Sequence, residues 1–154
     1  MRYWLMKSEP EVFSIDDLRR SPGRASMWDG VRNYQVRNML RDEFGKGDLA
    51  FFYHSSCAVP GIVGTMEVMC AGYPDPTAFM VGHEHFDPAS DRDKPRWYTV
   101  DVRYRSDFPV LSLDELRQHP ALAEMLVLRK GNRLSITPLS AAEWTYILSL
   151  RGQT

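Results

Sequence analysis

Apolar residues along this chain follow two rhythms, one helical and one alternating. Ser14 is followed three residues on by Asp17, with Phe13 and Leu18 flanking the pair. Ser112 and Glu115 repeat the spacing between Leu111 and Leu116, and Ser140 and Glu143 repeat it between Leu139 and Trp144. In each case a hydroxyl can accept from a free amide, a carboxylate suits the positive end of a helix, and an apolar pair fixes the entry angle. The spacing predicts helices over 15–20, 113–118 and 141–149. A fourth, over 34–43, buries Val36, Met39 and Leu40 and turns Arg37 and Arg41 outward. Aromatic and β-branched stretches predict strands at Tyr3–Met6, Leu49–Tyr53, Ile62–Met69, Trp97–Arg105 and Leu134–Ile136. In the fourth strand Tyr98, Val100, Val102 and Tyr104 share one face. In the last, Leu134 and Ile136 face the core, with Arg133, Ser135 and Thr137 opposite. Strands between helices at both ends predict an α+β fold: a curved sheet or small β-barrel with helices packed around it.

The stretch Tyr73–Pro95 breaks both rhythms. It holds Pro74, Pro76, Pro88 and Pro95 with Asp75, Asp87, Asp91 and Asp93 between them, and reads as a long surface excursion of the kind that forms functional walls. At 154 residues, 44% hydrophobic and 25% charged, the chain fits a single domain, 1–154, with a real core. It has no apolar run of about 18 residues, which excludes a membrane span. The opening MRYWLMKSEP lacks the apolar core of a signal peptide, and Cys57 and Cys70 have no zinc-like spacing. A reducing interior follows: cytoplasmic, or nuclear if the source is eukaryotic. The net charge of −1 argues against a protein that coats nucleic acid through phosphates alone. Arg32, Arg37, Arg41 and Lys46 form one local basic patch.

Three clusters mix aromatic and polar residues: KSEP at 7–10, WDGVRNYQVRN at 28–38, and FFYHSS at 51–56. A flat aromatic face beside amide and guanidinium groups suits a planar polar ligand such as a nucleobase. Trp28 is a candidate stacking wall, and Asn33 is either a helix cap or a base-edge reader. Lys7 and Ser8 end a strand, where they either contact a phosphate or base edge or simply close a turn. Tyr53 and Trp97 divide between pocket and core. His54, Ser55 and Cys57 invite a catalytic reading, but no nucleophile motif surrounds them. His83, His85 and Asp87 have the types of a metal site, yet their loop setting favours surface histidines. No metal or other cofactor is expected.

These strings together resemble the EVE domain family of the PUA-like group, which is related to the YTH domains. The matching stretches are YWLMKSEP with FSIDDL, WDGVRNYQVRN, GDLAFFYHSSC with PGIVG, PRWYTVDV, and RKGNRLSITP, in family order from Tyr3 to Pro138. The stretch from about Ala78 to Asp93 matches least. The resemblance implies a PUA-like fold, a small curved β-barrel with helices around it, and a pocket for a modified base. It implies a nucleic-acid partner, most plausibly DNA with a modified cytosine and alternatively RNA, and no catalysis. It places Lys7 and Ser8 at the pocket floor, Trp28 as a wall, Asn33 as base-edge reader, Tyr53, His54 and Ser55 along the rim, and Trp97 nearby. Arg32 and Arg37 would hold flanking phosphates. The rival readings are a small nucleotide enzyme using His54 as general acid or base, and a binder of a small planar metabolite.

Overall fold

A computed structural model describes residues 1–153. Strand β1 (Tyr3–Ser8) pairs in parallel with β3 (Leu49–His54) and antiparallel with β8 (Ile136–Leu139). Beyond β3 the sheet continues through β4 (Gly61–Val68) and β7 (Asp101–Ser112) to β2 (Ala25–Met27), all antiparallel. The order is β2-β7-β4-β3-β1-β8, so β2 and β8 remain as edges. The expected α+β class holds, and the barrel is left open between those two edges.

Apolar residues crowd the central strands because both faces of the sheet are covered. On one face Trp4, Met6, Phe52, Met66 and Val102 pack under α1 (Ile15–Arg20) and α2 (Tyr34–Asp42), through Leu18, Val36 and Leu40. On the other, Leu5, Phe51, Tyr53 and Ile62 meet Leu116 of α3 (Leu113–Arg117) and Trp144 of α4 (Ala141–Leu150). Phe51 stacks on Trp144 with centroids 4.1 Å apart, and Trp4 stacks on Phe44 at the same distance on the opposite face. Each such side chain contributes roughly 1.5–3 kcal/mol by leaving water.

The helix starts follow the hydroxyl–carboxylate spacing. Ser14 with Asp17 and Ser140 with Glu143 make reciprocal capping boxes. Ser112 accepts from the Glu115 amide, but the Glu115 carboxylate turns instead to Arg151, 3.1 Å away. Asn33 caps α2, its Oδ1 accepting from the Val36 amide at 3.1 Å.

Two of the expected strands differ from the sequence pattern, and β2 and β5 (Tyr73–Pro74) lie where none was expected. The stretch expected as 97–105 divides: β6 (Tyr98–Thr99) pairs with β5, and β7 then runs on to Ser112. Its inward face is as expected, with Val100 and Val102 buried and Tyr98 and Tyr104 packed against the same core. Pro109 hides the extension in the sequence; register shifts against β4, from Ile62↔Leu111 to Gly64↔Asp107, absorb it. The last strand begins at Ile136 rather than Leu134. Thr137, expected opposite the core, is buried as well, because the far face of β8 is covered too. Its Oγ1 is a buried hydroxyl without a partner.

Candidate functional site

Because β1 and β3 are parallel, Ser8 and His54 end side by side and both chains leave the sheet at one edge. The turn after β1 folds back tightly: Val12 and Phe13 both donate to the Glu9 carbonyl, and Ser8 Oγ donates to the Phe13 carbonyl at 2.6 Å. Next to this turn β2 delivers Trp28. A cleft of about 260 Å³ opens between the two. Lys7, Ser8 and Trp28, all expected at a pocket, line it. So do Val12, Phe13, Ser26, Met27 and Asp29, with Glu84 and His85 from the long excursion.

Trp28 serves core and cleft together. Only 7% of it is exposed, and it makes T-shaped contacts with Phe13 and Phe52 at centroid distances of 6.4 and 5.3 Å. Its amide donates to Val100 O and its carbonyl accepts from Thr99 Oγ1, which fixes the backbone beneath the ring. Ser8 spends its proton on Phe13 O, leaving the oxygen as an acceptor. The Lys7 ammonium lies 5.7 Å from the Tyr53 ring centroid, on the face where the register places both residues, and burial pushes its pKa down.

The other expected residues lie outside this cleft. Asn33 is committed to capping α2, and Tyr53 is buried in the opposite core. His54 Nε2 accepts from the Ile15 amide at 3.1 Å, which ties the end of β3 to the start of α1; burial pushes the imidazole pKa down despite nearby Asp16 and Asp17. Ser55 extends the parallel ladder by donating its amide to Ser8 O. Trp97 is buried, stacks on Tyr34 at 4.9 Å, and donates its Nε1 proton to Asp87 at 2.7 Å.

The two arginines expected on phosphates instead fasten the excursion. Arg32 donates to Asp75 at 3.1 Å and to the His85 carbonyl, with its guanidinium over Trp97. Arg37 donates to Asn38 and to the Arg96 carbonyl. Asp75 is the fully buried anchor of this arrangement and also accepts from Gly30 N, Thr77 N and Thr77 Oγ1. Burial pushes its pKa up, but those hydrogen bonds together outweigh burial and hold the carboxyl below its ordinary value.

His85 therefore reaches the cleft on a fastened loop. Its ring packs on Gly30, whose φ is +83°, and its Nδ1 lies 3.1 Å from Asp29 Oδ2. Asp29, His83 and His85 have potential ligand atoms within 4.8 Å of one another. The third member of the set is thus Asp29, not Asp87, which accepts from Trp97. Both imidazoles already spend a nitrogen: His83 Nδ1 accepts from the His85 amide, and His85 Nδ1 faces Asp29. A metal on His85 Nε2 would leave its bond to Asp29 in place, whereas one on His83 Nε2 would need the other tautomer and so cost the bond from the His85 amide.

The cleft residues that sequence reasoning missed are Ser26, Asp29 and Glu84, with the apolar Val12, Phe13 and Met27; His85 was singled out only as a metal candidate. Asp29 adjoins the singled-out tryptophan, and that adjacency was the available signal. For Glu84 and His85 the signal was the His-Glu-His run at 83–85, which the sequence does not connect to the cleft.

Comparison with known proteins gives this geometry a family. The EVE domain model matches residues 2–150. Mouse thymocyte nuclear protein 1 is 44% identical over 165 aligned positions, covering 96% of this chain and 73% of the mouse protein. A Pseudomonas syringae protein of known structure superposes with a TM-score of 0.91 at 46% identity, over 97% of this chain and 99% of its own. The human thymocyte nuclear protein 1, solved in complex with DNA containing 5-methylcytosine, superposes at 0.92 with 42% identity, over 100% of this chain and 99% of its own. With the match spanning nearly every residue from β1 to α4, this chain belongs to the EVE domain family.

Proposed function

We propose that this chain is a non-catalytic module that binds DNA through a modified cytosine held in the cleft beside Trp28. The observation that carries the reading is the cleft lining: an indole, a carboxylate and an apolar wall converge on a space of about 260 Å³. The human relative in complex with 5-methylcytosine DNA supports the choice of ligand. Cytosine offers an N4 amine that a carboxylate accepts, and Asp29 is a carboxylate in the cleft, its Oδ2 facing His85. Val12, Phe13 and Met27 supply the apolar surface that a C5 methyl group needs.

Extruding the base costs a few kcal/mol, and stacking on Trp28 returns about 1–3 kcal/mol. The methyl group itself adds about 0.8 kcal/mol when buried, so the preference for the modified base over plain cytosine is expected near fourfold. His54 is a poor general base here, because its Nε2 is held by Ile15 N–H and it does not line the cleft. The compartment would be the one that holds such DNA: the cytoplasm of a bacterium, or a nucleus.

Titration of otherwise identical oligonucleotides, with and without 5-methylcytosine, tests the reading. Wild type should prefer the modified strand, and Asp29→Asn should weaken binding of both about tenfold, in line with about 1–3 kcal/mol for a base-edge contact. Equal and weak binding of both oligonucleotides by wild type would sink it.

A further inference from the structure

If DNA is the ligand, its phosphates need cations, and the cleft does not offer them. It is lined by Asp29 and Glu84, the Lys7 ammonium sits toward Tyr53, and Arg32 and Arg37 are committed to the excursion. On the β2 side, Arg24 lies over the Tyr104 ring. The strand backbone must therefore run past the acids to a basic surface elsewhere.

One turn meets that need. Residues 129–133, Arg-Lys-Gly-Asn-Arg, directly precede the segment that enters β8. Asn132 N donates to the Arg129 carbonyl, Gly131 adopts φ +82°, and Asn132 Oδ1 accepts from Leu134 N, so the turn has a defined shape. Buried Val127 roots it in one core. Two residues beyond Arg133, the Ser135 carbonyl accepts from Lys7 N at 2.8 Å, which sets the turn beside the end of β1 that floors the cleft. Arg129, Lys130 and Arg133 are exposed. Arg129 meets only Glu124, 3.4 Å away and itself largely solvated, a contact worth little in water. Among the described residues, Lys130 and Arg133 have no ion-pair partner.

We propose that the Arg129–Arg133 turn is the phosphate-binding surface of this module, gripping the DNA backbone next to the base that enters the cleft. The proposal rests on the DNA-binding reading above and deepens it. The turn adds affinity without reading sequence, because phosphate contacts carry no base information.

The test is a fluorescence-anisotropy titration of 5-methylcytosine and plain oligonucleotides over a range of salt concentrations, using wild type, Lys130→Gln/Arg133→Gln and Arg37→Gln. Removing two phosphate contacts should lower affinity for both oligonucleotides equally, by about tenfold or more near 0.1 M salt. It should also flatten the plot of log affinity against log salt by roughly 1–2. The ratio between the two oligonucleotides should not move, and Arg37→Gln should leave the slope unchanged. Because the turn is exposed, an unchanged melting temperature should confirm that the double variant is folded. An unchanged slope in the double variant overturns the proposal, as does a lost preference at constant slope, which would place the turn on the base. If wild type shows no preference but the slope still flattens, the base-reading fails and the phosphate surface stands. If wild type binds neither oligonucleotide, both are wrong.

Discussion

Asp75 shows how one side chain holds the site together. It takes protons from two backbone amides, a threonine hydroxyl and a guanidinium, all while fully buried. Its folded pKa lies below the ordinary value, so the unfolded chain binds the proton more readily. The stability it contributes is complete above about pH 4 and is lost as pH falls below that toward the folded pKa. Urea melts from pH 7 down to 3 should show this loss in wild type and a flatter profile in Asp75→Asn. At pH 7 the variant should be about 1–3 kcal/mol less stable, since an amide NH₂ would face donors. His54 works higher on the scale. Burial depresses its pKa, so its contribution is complete above about pH 6.5 and falls as pH drops through that value toward the folded pKa. His54→Gln keeps an acceptor for Ile15 N and should remove the pH 5–7 slope from the same melts, with little change at pH 8.

At the level of elements, much was legible because local chemistry sets it. The three Ser-x-x-acid starts and the Asn33 cap depend on groups within a few residues, and the structure repeats them. The cleft was legible only on one side. Lys7 and Ser8 sit where β1 ends, a place the pattern locates, and Trp28 was marked by its polar neighbours, although β2, which delivers it, was not expected. The opposite wall, Glu84 and His85, arrives through Asp75 and Arg32, contacts that span 43 to 53 residues and leave no local trace. These contacts engage Arg32, and the Arg96 carbonyl likewise engages Arg37, the two arginines expected on phosphates. Gly30 is where the two walls meet. A Cβ there would lie 2.5–2.9 Å from the His85 ring, at a φ that costs a non-glycine residue roughly 1–2 kcal/mol. Gly30→Ala should lower the melting temperature modestly but displace His85 and break its contact with Asp29. Affinity for modified and plain oligonucleotides should then fall together, as in Asp29→Asn, and ring-proton NMR of His85 should shift. A variant that retained full affinity would remove His85 from the site.

At the scale of the whole molecule, a single sheet separates two cores. Phe51 faces one and Phe52 the other, and both are completely buried. Phe51→Ala and Phe52→Ala should therefore each cost about 3–5 kcal/mol in denaturant unfolding, although a sheet wet on one face would tolerate one of them. The Phe52 side reaches the cleft directly, through Trp28. Phe52→Leu should thus change binding as well as stability, whereas Phe51→Leu should change stability alone. The excursion adds something of a different kind. Asp87 accepts a hydrogen bond from Trp97 Nε1, and the Arg96 guanidinium reaches back to the Ala89 carbonyl, so the chain is pinched where it leaves and where it returns. Between the pinches, residues 90–95 form a closed bight whose ends are already paid for. Chain length there is nearly free, since doubling a loop costs only about 0.6 kcal/mol in closure entropy. A peptide tag inserted at Arg92 would lengthen this bight while leaving the cleft walls, which it does not line, in place.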